Sequence, residues 1–296
     1  MLNFYQHLPE KINPLIFNFD FFSLRWYSLM FLFALLMVYF FLKKQIFFQE
    51  KNKKNIDWDI FFIYMAIGIL LGGRLGYVFF YDLSYYLHHW QEIFWPFFYD
   101  QNQQKLIWQG ISGMSYHGGL IGALIMGIIF CYHYKIDFLW LADQIALVTP
   151  LGYFWGRIGN FLNRELYGRP TQKFWGMYFK GENFLRHPSQ LYEALGEGIL
   201  LFFILFFIKN RCWQKRKREK NSSFCTQKGY LFLSYILFYN LIRFGIEFFR
   251  QSDEQIGLIW NILTLGQILS LFFIIFAILL FFFFFNFDNN KDKKEK

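Results

Sequence analysis

The polar residues best suited to chemistry lie in one stretch, Gly156 to Gly168, which reads G-R-I-G-N-F-L-N-R-E-L-Y-G. It follows an apolar run and places two Arg, one Glu and two Asn in an otherwise apolar chain. Such groups are energetically expensive at membrane depth, so they usually have partners and a function there. Arg157, Asn160 and Arg164 are three and seven residues apart, and this helical spacing predicts that they share a face.

A second polar group consists of Arg243, Glu247 and Arg250, which are four and seven residues apart and share a helix face more clearly. The guanidinium group is a planar fork of donors that keeps its charge and suits phosphate. Several Arg side chains at one depth therefore predict an anionic ligand, most economically a phospholipid phosphate. Two simpler interpretations stay open: interfacial anchoring by Arg250 or Arg25, and mutual neutralisation of Arg243 and Glu247.

The elements that must position these groups are predicted membrane spans. The chain of 296 residues is 55% hydrophobic and only 17% charged, which is too apolar for an ordinary soluble domain. A spanning helix needs about 20 mostly apolar residues. Such runs are predicted at 24–42, 59–80, 118–134, 138–155, 191–208, 230–248 and 262–285. No basic segment precedes the first run, so we expect it to be retained and not cleaved as a signal peptide.

Basic clusters predict the orientation of these spans. They follow the first, third, fifth and seventh runs, with Lys43 and Lys44 after the first and the 215–218 run of Lys and Arg after the fifth. Because Lys and Arg collect on the cytoplasmic side, we predict the N-terminus outside and the C-terminus inside. The expected fold class is an all-α polytopic membrane protein with about seven transmembrane helices.

The spans and loops predict one integral membrane domain, residues 1–285, followed by a polar cytoplasmic tail, 286–296. Residues 81–116 are rich in Trp, Tyr and Phe, which favour the headgroup layer, so we expect interfacial arms there. Residues 156–190 are expected to form a small periplasmic head. This topology brings the polar groups to one level, the outer headgroup boundary. Four further residues at that level are Arg25, Tyr27, Arg74 and His117.

Glycines flank two of these polar residues. Those around Arg74 and directly after His117 are Gly72, Gly73, Gly76, Gly118 and Gly119. Glycine lets backbones approach closely, so these positions predict close contact between helices or with a lipid chain. Helix packing through small residues alone would explain many of them.

Other classes of protein are disfavoured by the sequence. The net charge is +9, but the basic runs lie between apolar spans, so we expect no nucleic acid partner. The three Cys residues are too few and too widely spaced to indicate disulfides or a metal site. A metal-dependent headgroup transferase would usually show an Asp-rich site, whereas the Asp residues here are isolated. They include Asp82, Asp100, Asp143 and Asp253.

Two rival functions have weak support. The string Gly110-Ile111-Ser112-Gly113 suggests an intramembrane serine protease, which would need His133 or His187 to reach Ser112. A transporter or channel for anionic solutes predicts polar groups through the full membrane depth and an internal repeat. The sequence shows neither feature, so both rivals are disfavoured.

The ordered set of motifs resembles the bacterial prolipoprotein diacylglyceryl transferase family. The stretch from Gly156 to Gly168 carries the resemblance, together with Y-H-G-G-L at 116–120, H-P-S-Q-L-Y-E-A at 187–194 and R-F-G-I-E-F-F-R at 243–250. Shorter matches lie at 25–27 and 73–76, so the resemblance runs from the first span towards the seventh. It implies a multi-pass enzyme of the bacterial inner membrane. The implied reaction moves the diacylglyceryl group of phosphatidylglycerol to the lipobox cysteine thiol of a prelipoprotein, without a cofactor or metal.

The resemblance also implies which residues act. The matched positions are Tyr27, His117, Arg157, Asn160, Glu165, Gly168, Arg243 and Glu247. This chain departs from the family pattern in a short head segment between 180 and 186, and in Arg164, which stands where a small residue is common.

Each matched residue has an expected role. We predict catalytic roles for His117, Arg157, Arg243 and Tyr27, and substrate-binding roles for Arg157, Asn160, Glu165, Gly168, Arg243 and Glu247. His117 would take the thiol proton, and the two Arg would stabilise the leaving phosphate. Tyr27 would orient the thiol or a headgroup oxygen, and Asn160 would help to bind the glycerol headgroup. The two Glu would hold the Arg side chains in place.

Overall fold

A computed structural model describes residues 2–19, 22–48, 56–94, 97–100, 105–108, 113–218, 227–251, 257–259 and 262–292. Most of these residues are helical. In chain order the helices are α1 (Leu2–Gln6), α2 (Leu8–Lys11), α3 (Trp26–Phe48), α4 (Trp58–Tyr81), α5 (Leu83–His88), α6 (Tyr116–Tyr134), α7 (Phe138–Asn163), α8 (Ser189–Glu193), α9 (Leu201–Arg218), α10 (Tyr230–Ile246) and α11 (Leu265–Asp292). A 3₁₀ helix at Trp90–Ile93 follows α5, and a π-helical segment at Ala194–Leu200 joins α8 to α9.

Three short antiparallel hairpins add to the helices. They pair β1 (Leu15–Phe19) with β2 (Phe22–Arg25), β3 (Phe97–Asp100) with β4 (Lys105–Trp108), and β5 (Leu258–Ile259) with β6 (Leu263–Thr264). The mainly helical prediction is confirmed, but a purely α-helical fold is not. Short apolar strands beside apolar helices have no periodicity that distinguishes them, which is why the sequence did not predict them.

Five of the described helices are long and apolar enough to cross a membrane by length and composition. They are Trp26–Lys44, Trp58–Tyr81, His117–Tyr134, Ser189–Gln214 and Leu265–Phe283. These helices correspond to the first, second, third, fifth and seventh predicted spans. The fourth predicted span lies in α7, which contains Pro150, and the sixth lies in α10, an apolar helix of 17 residues.

Some predicted boundaries differ from the observed elements. Helix α7 continues to Asn163 and α8 begins at Ser189, so the non-helical head segment is shorter than the predicted 156–190. The predicted arm at 81–116 contains α5, the 3₁₀ helix and the β3–β4 hairpin. Helix α11 runs on to Asp292, into the predicted polar tail.

The chain forms two compact units, of which the first comprises residues 1–49 and 142–296. Its core includes Leu147 of α7, Leu201 and Leu205 of α9, and Leu231 of α10. The Asp143 carboxylate accepts hydrogen bonds from the backbone N–H groups at 229 and 232, at 2.7 and 2.8 Å. An Asp that looked isolated in the sequence therefore caps the N-terminus of α10.

The second unit, residues 50–141, is organised by the contact of α4 with α6. A Cβ at Gly118 would lie 2.3 Å from the carbonyl oxygen of Gly72, and one at Gly122 would lie 2.0 Å from that of Gly68. Since real Cβ atoms do not approach that closely, glycine at these positions is what lets the two helices touch. The close approach predicted from the glycines near Arg74 is thus present.

Candidate active site

The stretch G-R-I-G-N-F-L-N-R-E-L-Y-G divides into the last turns of α7 and a tight turn. Arg164 and Leu166 have left-handed backbone, with φ of 61° and 58°. Residues with a Cβ rarely adopt this conformation, so the surrounding structure must hold it. The Gln190 side chain donates to the carbonyl of Glu165 at 2.6 Å, and the Ser189 hydroxyl donates to that of Leu166 at 3.1 Å. The H-P-S-Q motif therefore stabilises the turn.

The predicted face of Arg157, Asn160 and Arg164 is only partly right. Arg157 Nη1 donates to Asn160 Oδ1 at 3.1 Å, so these two side chains do meet on α7. Arg164 lies beyond the end of the helix, and its guanidinium donates to the carbonyl of Ile12. The prediction for Arg164 is wrong because the left-handed turn interrupts the helical spacing. This side chain fastens the N-terminal segment to the head.

Glu165 is linked to Arg157 through the side-chain amide of Asn160. Asn160 Nδ2 donates to Glu165 Oε1 at 2.7 Å, while Asn160 Oδ1 accepts from Arg157. Glu165 can thus support Arg157 through the Asn160 amide, and its predicted role in holding an Arg side chain stays a prediction. Asn160 is buried, and its two hydrogen bonds determine which way the amide faces.

One buried carboxylate joins the two Arg-bearing helices. Glu193 is fully buried at the junction of α8 with the π-helical segment. Its Oε2 lies 2.8 Å from Arg157 Nε and 3.1 Å from Arg243 Nη1, and it accepts a hydrogen bond from the Tyr153 hydroxyl at 3.1 Å. Its Oε1 accepts from Arg250 Nη1 at 2.7 Å. Glu193 therefore orients all three guanidinium groups.

Arg243 contacts three carboxylates. Besides Glu193, its Nη1 lies 3.5 Å from Glu197 Oε1, and its Nη2 lies 3.1 Å from Glu247 Oε2. The same Glu247 oxygen is 3.2 Å from Arg250 Nε. Arg243, Glu247 and Arg250 thus meet, as their spacing predicts, although Arg250 lies beyond the last residue of α10. The Glu247 contacts have ion-pair distances without hydrogen-bond alignment, so they act mainly through charge.

We define the charge cluster as Arg157, Arg243 and Arg250 with Glu193, Glu197 and Glu247. Its Arg side chains are more exposed than its Glu side chains. The Arg side chains are 19%, 16% and 17% exposed. The Glu side chains are 0%, 0% and 7% exposed. An approaching anion would therefore meet guanidinium groups with carboxylates behind them. Each guanidinium has five N–H donors, so it can keep its carboxylate and still donate to a phosphate.

Close contacts at two glycines show where two further predicted residues, Gly168 and Tyr27, lie. A Cβ at Gly168 would lie 2.2 Å from the carbonyl oxygen of Phe249, and Gly168 forms a β-bridge with Arg250. Tyr27, the second residue of α3, packs against α7, where a Cβ at Gly159 would lie 3.2 Å from its ring. Gly168 therefore supports the segment that carries Arg250, and Tyr27 lies beside the α7 turn that contains Asn160.

His117 belongs to the second unit, whereas the other predicted site residues lie in the first. It is the second residue of α6, and its side chain is exposed. Ser115 caps this helix by accepting a hydrogen bond from the N–H of Gly118 at 3.3 Å. The role of His117 stays a prediction.

Sequence reasoning assigned no role to three residues of the site, Tyr153, Glu193 and Glu197. A signal was present, because both Glu residues lie within the predicted span 191–208, where charge is expensive. Tyr153 precedes Arg157 by one helical turn, and its ring centre lies 4.7 Å from the Arg157 guanidinium carbon. A Tyr one turn before an Arg on an apolar helix is a typical cation–π arrangement.

Titratable groups of the head have environments that shift their pKa. The pKa of His187 lies below its ordinary value, because burial disfavours the charged ring and Lys173 adds to the effect. His187 Nδ1 lies 3.0 Å from the Tyr192 hydroxyl. Burial raises the pKa of Glu182, but hydrogen bonds from Tyr167 and Arg186 outweigh burial and lower it overall. Neutral His187 and ionised Glu182 are thus the favoured forms near pH 7.

The structure describes only some of the residues on which the protease and metal-site hypotheses depend. Ser112 and Asp253 lie outside the described residues. Within the described part of the chain, no group of three or more His, Cys, Asp or Glu side chains could hold a metal ion.

Comparison with known proteins assigns the chain to a family. The sequence model of prolipoprotein diacylglyceryl transferase matches residues 14–283, most of the chain. The chain belongs to the prolipoprotein diacylglyceryl transferase family. Membership decides against the protease and transporter hypotheses, and it identifies a transferase of lipoprotein biosynthesis.

The matches to relatives of this transferase extend over nearly the full length of both proteins. It is 41% identical over 281 residues to a phosphatidylglycerol–prolipoprotein diacylglyceryl transferase of Campylobacter hominis, and the aligned region covers 93% of this chain and 92% of the relative. The identically named protein of Chlorobaculum tepidum is 39% identical, with 93% and 90% covered. That of Rickettsia bellii is 40% identical, with 90% and 94% covered. With its apolar helices, this transferase is a multi-pass membrane protein.

Proposed function

We propose that the protein moves the diacylglyceryl group of phosphatidylglycerol to the thiol of a prelipoprotein lipobox cysteine, the first step of lipoprotein maturation. The bond between a glycerol carbon and a phosphate oxygen breaks, and its electron pair leaves with glycerol phosphate. The thiolate sulfur bonds to that carbon and forms a thioether. Both substrates appear in the names of the relatives.

The observation that carries this proposal is the exposure of the charge cluster, in which the Arg side chains are partly exposed and the Glu side chains are buried. The leaving phosphate gains negative charge in the transition state, so donors already aimed at it lower the barrier. Arg157 and Arg243 would receive that charge. Glu193 and Glu247 hold these guanidinium groups, so little reorganisation is needed during the reaction.

The thiol must lose its proton, since a free cysteine has a pKa of about 8.5 and the thiolate is the nucleophile. His117 would take that proton as general base. Tyr27 would orient the thiol or a headgroup oxygen, and Asn160, with its amide held by Glu165, would bind the glycerol headgroup. Gly168 would contribute to substrate binding by letting its backbone approach the segment that carries Arg250. The proposed chemistry uses no metal or organic cofactor.

The proposed topology has seven spans, with the N-terminus outside the inner membrane of a bacterium. Helix α7 and helix α10 would complete the seven. At about 1.5 Å rise per residue, the 17 residues of α10 approach the hydrocarbon thickness of about 30 Å. The basic clusters would then lie inside, and the charge cluster would lie near the outer headgroup level, where lipid and secreted acceptor meet.

The roles can be tested with Arg157→Ala and Arg243→Ala, assayed for transfer to a lipobox peptide in phosphatidylglycerol vesicles. Loss of one stabilising donor typically lowers kcat by about 10²–10³-fold. Arg211→Ala, at an exposed position of α9, is the matched control and should transfer normally. Near-normal transfer by Arg157→Ala would remove Arg157 from the mechanism. Full activity of His117→Gln at neutral pH would remove the general base.

A further inference from the structure

Outside the charge cluster, the second unit contains a buried Arg that binds backbone carbonyls. Arg74 of α4 is 5% exposed. Its Nε donates to the carbonyl of Ile93 at 2.6 Å, and its Nη2 donates to that of Glu92 at 2.8 Å. Its Nη1 donates to the carbonyl of Gly113 at 3.2 Å. Nη2 also donates to the Tyr86 hydroxyl at 3.2 Å, and the guanidinium carbon lies 5.0 Å from the Tyr86 ring centre.

These contacts join three segments that are distant in the sequence. One guanidinium ties α4 to the arm, through α5 and the 3₁₀ helix, and also to the turn that precedes α6. The arrangement requires the rigid fork of Arg, whose three nitrogens point in different directions. A Lys ammonium is a single nitrogen, so it cannot place donors at the three separate positions that Nε, Nη1 and Nη2 of Arg74 occupy.

The turn held by Arg74 leads directly to His117. Gly113 has φ of 81°, and a Cβ there would lie 2.5 Å from the Tyr77 ring. Two residues later, the N–H of Ser115 donates to the carbonyl of Gly73 at 2.8 Å, and the Ser115 hydroxyl caps α6. The four residues before His117 are thus anchored to α4 at 113 and at 115. The backbone position of His117 depends on both anchors.

We propose that Arg74 is a positioning residue that places His117 for proton transfer by fixing the turn at residues 113–116. This inference rests on the proposed function, because it assumes that His117 takes part in the reaction. Without the guanidinium fork the anchor at Ser115 remains, but the carbonyl at 113 and the base of the arm are released. A shift of about 1 Å in a reacting group can lower a rate by about 10²-fold.

A double-mutant cycle tests this proposal in the full-length protein. Transfer to a lipobox peptide in phosphatidylglycerol vesicles is measured for Arg74→Lys, His117→Gln and the double variant. We expect Arg74→Lys to lower kcat by about 10–100-fold, with KM for the lipid little changed. In the His117→Gln background, the same substitution should cause little further loss, because residues that act as a unit are not additive.

Losses that multiply in the cycle would overturn the proposal, because they would show that Arg74 acts independently of His117. Gly113→Ala perturbs the same turn with Arg74 intact, through its positive φ and its contact with Tyr77. Its effect on kcat should also be non-additive with that of His117→Gln, and it replaces Arg74→Lys in the cycle if that variant does not fold. The matched control is Arg211→Lys on α9, which should leave transfer unchanged.

Failure of the inference is distinguishable from failure of the proposed function. If His117→Gln is fully active, the general-base role is wrong and the positioning role is overturned with it. If His117→Gln is impaired but the losses multiply, only the positioning role is overturned. Thermal unfolding of each variant in detergent gives the folded fraction to which kcat is normalised.

Discussion

Replacing Glu193 by Gln should disable the charge cluster while preserving its shape. The carboxylate is fully buried and lies 2.8, 3.1 and 2.7 Å from nitrogens of Arg157, Arg243 and Arg250. Gln keeps an acceptor oxygen but removes the charge, which leaves three guanidinium groups with two carboxylates. Breaking a buried ion pair by removing one partner typically destabilises a protein by about 3–5 kcal/mol. Because the Gln oxygen still accepts a hydrogen bond, we expect about 3 kcal/mol, the lower end of that range.

The same substitution should reduce transfer, because both proposed phosphate-binding Arg side chains lose their common anchor. We expect kcat to fall by about 10²–10³-fold, as for the loss of one oriented donor. The assay is transfer to a lipobox peptide in phosphatidylglycerol vesicles, normalised to folded protein by thermal unfolding in detergent.

The matched control for Glu193→Gln is Glu182→Gln, which removes the same charge from the Glu182–Arg186 pair of the head, 2.9 Å apart. The two side chains of this pair are 13% and 16% exposed, whereas Glu193 is fully buried, so Glu182→Gln should destabilise the protein less than Glu193→Gln does. If Glu193→Gln proved as stable and as active as Glu182→Gln, Glu193 would not organise the site.

Three further predictions concern residues around the site. Gly168→Ala should lower both stability and transfer, because its Cβ would lie 2.2 Å from the carbonyl oxygen of Phe249; normal transfer by that variant would contradict this contact. Asp143→Ala should destabilise the protein by about 1–2 kcal/mol through loss of the α10 cap, measured by thermal unfolding, while transfer per folded molecule stays unchanged. Because the pKa of His187 is lowered in the folded protein, the unfolded chain binds a proton there at a higher pH than the folded protein does. This residue's contribution to stability is therefore present above pH 6.5 and is lost as the pH falls below it. The parent should therefore lose more thermal stability than His187→Gln between neutral and mildly acidic pH, and an equal loss would refute the assignment.

The features that the sequence predicted correctly depend on local spacing. The turn that follows α10 brings Arg250 back beside Glu247, and Arg243 and Glu247 meet because residues four apart at the end of a helix are neighbours. Arg157 and Asn160 meet for the same reason. The apolar runs likewise located five helices of membrane-spanning length, because length and hydropathy are properties of the segment itself.

The features that the sequence did not predict depend on contacts between distant segments. Arg164 leaves the helix because contacts from 189 and 190 hold the adjacent turn in a left-handed conformation. Glu193 was visible as a charge within a span, but its partners are set by the packing of α7, α10 and the π-helical segment. Glu165 meets Asn160 and not an Arg, because the turn directs its side chain back to the helix. No spacing rule anticipates such long-range geometry.

The measurement that tests the central claim most directly is the mass of the product formed from a lipobox peptide with a single cysteine in phosphatidylglycerol vesicles. The proposed reaction predicts a peptide heavier by one diacylglyceryl group, linked by a thioether that resists hydroxylamine, with glycerol phosphate released and transfer undiminished by EDTA. The product should form about 10²–10³-fold more slowly with Arg157→Ala and with Arg243→Ala. A hydroxylamine-sensitive acyl thioester, phosphate retained on the peptide, or full transfer by both Arg variants would contradict it.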